Sequence, residues 1–143
     1  LKKAKGSFKV AEVKGGKPEM EKRLPSKALS CRLTTFNMPA DMTVSGFMKA
    51  GLTDEFDAAR KLSEGGHGVT VVVNNLASDT ASFDKGSWDL DLDYVVSNKT
   101  INVKTKTVFE SAYMAETACR NTANALSNAL EENFTEFFKK LAR

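Results

Sequence analysis

The chain has no run of about eighteen apolar residues, so no segment reads as a membrane-spanning helix. It has only two cysteines, three prolines and one histidine in 143 residues. No CxxC pair and no Cys/His ligand spacing occurs, which argues against a structural zinc. No G-x-S-x-G or cysteine-protease context surrounds any serine or cysteine. The cluster Gly65-Gly66-His67-Gly68 follows a helical pattern and precedes a strand pattern, and a phosphate loop needs the opposite order. His67 has no neighbour in sequence that would activate or orient it, so it reads as an exposed turn residue. The expectation is a non-enzymatic chain with no catalytic residue, no metal and no cofactor.

What is present is ordinary for a globular domain: 41% hydrophobic and 27% charged residues. A chain of this size buries roughly 68–70% of its unfolded surface and folds without a metal or a disulfide framework. The net charge of +3 is uneven. Residues 1–40 carry ten Lys/Arg against three Asp/Glu, and residues 41–143 carry eleven against fifteen. A basic arm of this kind is usually solvated, and otherwise meets nucleic acid or an anionic surface. The chain begins at Leu1 rather than methionine, so it reads as a processed or excised product whose targeting segment would lie upstream.

Residues 1–7 read as a flexible basic tail and residues 8–143 as one α/β domain. Phe8 to Val13 alternates apolar and polar residues, as an edge strand would. ALSCRLTTF alternates again, with Leu29, Cys31 and Leu33 on one face. Asp41 or Thr43 caps a helix running roughly to Leu62, with Met48, Leu52, Phe56 and Ala59 as its apolar stripe. Gly68 to Ala77 is a β-branched strand, and residues 78–86 a polar loop. In GSWDLDLDYVV, Trp88, Leu90, Leu92 and Tyr94 point one way and Asp89, Asp91 and Asp93 the other. TINVKTKTVF places Ile101, Val103 and Phe109 opposite Asn102, Lys104 and Lys106. The last element is a helix from about Ala112 to Leu141, small-faced in its first half and aromatic in its second. The fold class is α+β: an antiparallel meander of four to five strands against two helices, the C-terminal one long.

Three features compete for a role. Asp89, Asp91 and Asp93 stand about 7 Å apart along a strand, so they diverge rather than converge on a cation. Trp88, Tyr94, Phe83 and Phe109 resemble a stacking platform, but the basic residues lie on the other face, which favours core packing. Phe138 falls outside the stripe of Phe134, Phe137 and Leu141, and is expected to be exposed at an interface. Phe8 and Val10 join it as interface candidates, because an unpaired edge strand is an assembly surface. A homo-oligomer or a second protein would then be the partner.

The stretches Met48 to Leu62, Gly86-Ser87-Trp88, Phe109-Glu110-Ser111, and Ala118-Cys119 with Thr122, Ala123, Ala125 and Leu126 carry a resemblance. Their order is similar to that in a loose group of small bacterial cell-envelope lipoproteins, mostly of unassigned function. The resemblance covers about two-thirds of the chain and rests on structural motifs, so it brings no catalytic residue. It implies a periplasmic or outer-membrane location and a lipidated cysteine upstream of Leu1, the only membrane attachment expected. The rival reading is a cytosolic nucleic-acid-binding module using the basic residues 1–40.

Cys31 lies on the core face of its strand and Cys119 on the small-residue face of the long helix. A helix can approach a sheet closely at such positions, so a Cys31–Cys119 disulfide is expected. Two separately buried thiols are the alternative.

Overall fold

Two alternating segments set the frame. Trp88, Leu90, Leu92 and Tyr94 turn inward from Lys85–Val96, and Ile101 and Val103 from Lys99–Glu110. The two segments pair antiparallel across a tight turn, in which Ser97 takes a left-handed φ of 54°. On the outer face Asp89 stands opposite Lys106 and Asp91 opposite Lys104, as the alternation predicts. Asp93 meets Asn102 instead of a lysine.

The computed structural model describes residues 6–32, 34–82 and 84–142. In order they form β1 (Phe8–Gly15), α1 (Pro18–Arg23), β2 (Ala28–Cys31), β3 (Thr34–Asn37) and a 3-10 turn at Pro39–Asp41. Next come α2 (Val44–Ala58), β4 (His67–Asp79), β5 (Lys85–Val96), β6 (Lys99–Glu110) and α3 (Ala115–Leu141). The architecture is α+β, with a four-stranded sheet in the order β1-β4-β5-β6 and a separate β2-β3 hairpin.

Several details depart from the sequence reading. β4, β5 and β6 do form an antiparallel meander, but β1 joins β4 in parallel, so the sheet is mixed. A parallel pair needs a long crossover, and α1, the β2-β3 hairpin and α2 supply it. The segment ALSCRLTTF is not one strand but two, folded back at Arg32, whose φ of 51° reverses the chain. The polar stretch before Lys27 holds a third helix, α1, started by Pro18 at its first turn and seated by buried Met20. Leu33 and Phe83 lie outside the described residues, as do residues 1–5 of the expected tail.

β4 shows why a buried strand can change phase. Val69, Val71 and Val73 point into the core, and so does Leu76, which strict alternation would turn outward. A bulge between Val73 and Asn75 inserts the extra residue. Asn74, displaced by it, donates to Asp93 at 3.0 Å and Asp91 at 3.4 Å.

α2 begins at Thr43, whose hydroxyl accepts the Gly46 N–H at 3.0 Å. Val44, Met48, Leu52 and Phe56 then form one buried line at intervals of four. The helix ends at Ala58, short of the expected Leu62, and Arg60 turns left-handed at φ 59°. Gly66 then lies 2.6 Å, as measured from a notional Cβ, from the Phe8 nitrogen, so any larger residue would push this loop off β1.

α3 is 27 residues long and lies over the inner face of the sheet. Its first half presents Ala118, Thr122 and Ala125, all buried. The Trp88 indole N–H donates to the Thr122 carbonyl at 2.9 Å, tying sheet to helix backbone. Farther along, the Tyr94 ring stacks on Phe137 with centroids 4.0 Å apart and planes 4° from parallel. Its hydroxyl donates to Asn133 Oδ1 at 2.5 Å. The Asn133 amide in turn donates to the Thr105 hydroxyl at 2.9 Å and the Val103 carbonyl at 3.3 Å. Every buried polar side-chain atom among the described residues is hydrogen-bonded.

Replacing Tyr94 with phenylalanine leaves Asn133 Oδ1 buried without its donor. The Tyr94→Phe variant is expected to lose about 1–3 kcal/mol in urea unfolding at an unchanged m-value. A loss below about 0.5 kcal/mol would show that this bond is replaced by another or by water.

Candidate functional site

Cys31 and Cys119 are disulfide-bonded, with Cα atoms 5.5 Å apart, within the usual range for such a bridge. Cys31 ends β2 and Cys119 sits one turn into α3, among small residues that let the helix approach. Both cysteines are buried. The bond closes a separation of 88 residues and pins the β2-β3 hairpin to the long helix. Beside it Arg32 donates to the carbonyls of Ala112 at 2.7 Å and Tyr113 at 3.0 Å, holding the loop that leads into α3.

The other sequence candidates fall elsewhere. Phe8 and Val10 belong to an edge strand, but their side chains are 3% and 7% exposed and face the core. The free edge of β1 is itself occupied at its start: Phe8 exchanges hydrogen bonds with Lys61 and Ser63. Phe138 is 5% exposed, not a surface residue. The buried arc of α3 is wider than one stripe because it meets two surfaces: Phe137 packs on the sheet, while Phe138 meets Phe56 of α2 at 5.7 Å. The side-chain exposure expected at Phe138, Phe8 and Val10 is therefore absent. Trp88 and Tyr94 are core residues, as their inward alternation implies. His67 is exposed, with its ring 6.0 Å from that of Phe8.

The aspartate row is tied into the outer sheet face. Asn102 donates to both Asp91 and Asp93 at 2.7 Å, and Asn74 bonds the same pair from the other side. Among the described residues no group of three or more His, Cys, Asp or Glu is placed to hold a metal ion.

The feature that sequence reasoning missed is a groove of 310 Å³ between α2 and α3. Its apolar lining is exposed Met42, half-buried Phe47 and the edges of buried Leu130 and Phe134, and its rim carries Asp54, Glu55 and Glu131. Gly51 forms part of the floor, where a Cβ would come 3.4 Å from the Phe134 ring. Phe47 and Gly51 are four residues apart and lie off the buried line of α2. A glycine one turn from an off-stripe aromatic is the signal that would have marked this face. Burial, together with the neighbouring Glu131 and Asp54 carboxylates, raises the Glu55 carboxyl above the usual carboxylate range.

Three measurements test this geometry. Reducing the disulfide, or replacing both cysteines with serine, is expected to lower stability by about 2–5 kcal/mol, since a long loop is released in the unfolded chain. Non-reducing mass spectrometry should show no free thiol in the native protein. For Glu55, the folded chain holds its proton more tightly than the unfolded chain does, so its contribution to stability falls as pH rises through the carboxylate range. Glu55→Gln is therefore expected to melt higher than wild type at pH 7, with the gap closing below about pH 4. A lower melting temperature for this variant at pH 7 would contradict the reading.

No family model matches the chain, and no curated protein matches it in sequence. Solved structures share its fold. A Xanthomonas campestris protein of family DUF330 superposes with a TM-score of 0.60 at 14% identity, covering 93% of this chain and 81% of its own. A protein of Caulobacter crescentus described as a putative lipoprotein superposes with a TM-score of 0.52 at 14% identity, covering 66% of this chain and 77% of its own. This chain thus has an α+β fold that is also built by bacterial proteins with almost none of its sequence.

Proposed function

We propose that the chain is a non-enzymatic interaction module of the bacterial cell envelope, the folded part of an exported lipoprotein. The observation that carries this reading is the buried Cys31–Cys119 disulfide. Such bonds form and persist in oxidising compartments and are rare in the cytosol of most bacteria. The fold shared with the Caulobacter protein supports the same location, as does the sequence resemblance to envelope lipoproteins. A basic segment before β1 fits a tether between a lipid anchor and the domain, since juxtamembrane lysines favour an anionic leaflet. The interaction role rests on the surface: the groove between α2 and α3 offers an apolar wall and charged rim for a partner within the envelope. Whether the domain faces the periplasm from the inner or the outer membrane does not bear on that role.

The test is to express the complete gene product in a Gram-negative host and follow it by fractionation, palmitate labelling and thiol blocking. Envelope fractionation with a labelled N-terminal cysteine and a fully oxidised Cys31–Cys119 pair is the expected result. A cytosolic protein with two free thiols would overturn the proposal.

A further inference from the structure

We propose that the groove between α2 and α3 docks a cationic amphipathic segment of another protein, with its apolar side chains on Met42 and Phe47 and a lysine or arginine between Asp54, Glu55 and Glu131. This deepens the interaction-module reading by naming the chemistry of the partner.

Charge complementarity selects the occupant. The chain as a whole is basic, with 21 Lys/Arg against 18 Asp/Glu. The groove lining reverses this: among the described residues it holds three carboxylates and no lysine, arginine or histidine. None of the three is in an ion pair or side-chain hydrogen bond among the described residues. On the outer sheet face, Asp91 and Asp93 differ in this respect. Asp91 and Asp93 already accept bonds from Asn74 and Asn102, and Asp89 and Asp91 have lysines opposite. The groove thus combines three carboxylates whose acceptors are open with adjoining apolar area. An anionic lipid surface or nucleic acid would be repelled there.

The electrostatic state of Glu55 agrees with the geometry. Its carboxyl is raised by burial first, and then by Glu131 and Asp54. The groove therefore holds like charges close together at a loss to the isolated fold, and a cation between them relieves that repulsion. Gly51 contributes the space. Glycine inside a helix is unfavourable relative to alanine, and here its missing side chain leaves the space beside the edge of the buried Phe134 ring open.

The experiment titrates the oxidised, isotope-labelled domain with a synthetic amphipathic peptide of leucine and lysine, and with its glutamate-for-lysine counterpart, following backbone amide shifts. The expected result is saturable shifts confined to residues 47–55 and 127–134, weakening with salt and absent with the glutamate peptide. The Asp54→Asn/Glu55→Gln/Glu131→Gln variant, altered only at the rim, should bind at least about ten-fold more weakly. Gly51→Leu, which fills the floor, should abolish the shifts while leaving the amide spectrum elsewhere unchanged. Shifts centred on Asp89, Asp91 and Asp93, or binding untouched by the rim variant, would overturn the proposal. So would groove shifts that appear on raising protein concentration alone, because the occupant would then be a second copy of this chain. None of these results bears on export or lipidation, which are read separately by fractionation and labelling.

Discussion

Tyr94 and Phe137 stack face to face, and the position of the long helix on the sheet follows from that contact. An offset or parallel aromatic pair adds about 0.5–1.5 kcal/mol beyond its buried area, and this one is anchored at a polar end too. Burial holds the Tyr94 hydroxyl far above the usual tyrosine range, so it stays a donor, and Asn133 accepts. Asn133 can accept there only because its amide is spent on β6, at Thr105 and Val103. One side chain on α3 is thereby bonded to two neighbouring strands. A slide of the helix by one turn would break all three bonds and leave polar atoms buried. At the far end the Cys31–Cys119 bond fixes the same helix covalently. Near the disulfide the helix face is small, and Ala118, Thr122 and Ala125 let it lie close enough for Trp88 to reach the Thr122 carbonyl.

Elements whose identity depends on a single strong period were legible in the sequence. The β5-β6 hairpin is the clearest case, since alternation over eleven residues leaves one register with Trp88, Leu92 and Tyr94 inside. The disulfide was legible for a related reason: the face of each cysteine followed from its neighbours, and only their approach was left to the fold. Parallel pairing of β1 with β4 was not legible, because alternation fixes which face is buried and not which strand is adjacent. The turn at Arg32 was hidden as well. Nothing in ALSCRLTTF marks a reversal, and arginine in a left-handed conformation is stabilised here by tertiary contacts, its guanidinium holding carbonyls of the segment before α3.

Phe138 shows the limit of assigning burial from one helical stripe. A helix lying on a sheet alone buries one narrow line, and by that rule Phe138 falls outside. α3 also packs on α2, so its buried arc widens to include the Phe138–Phe56 contact. The candidate groove has the same origin. It is where the α2-α3 contact opens: Gly51 faces Phe134, and carboxylates on the two helices converge. Neither helix alone carries the site. Asp54 and Glu55 read as an ordinary solvated pair on α2, and Glu131 as one on α3.

That convergence also explains why the groove is not filled by the chain itself. An alanine at position 51 would strengthen α2, and a lysine at a rim position would relieve the carboxylate repulsion that raises Glu55. Either change improves the isolated domain, and neither is present. Elsewhere the same surface takes the stabilising option: Arg23 pairs with Glu19, Lys27 with Asp41, and Lys139 with Glu136. A helix pair that leaves three carboxylates unpaired beside an apolar wall is less stable alone than its composition allows. In the proposed complex, a partner's cation between the three carboxylates would offset their mutual repulsion, so that binding and the stability of the domain would be linked.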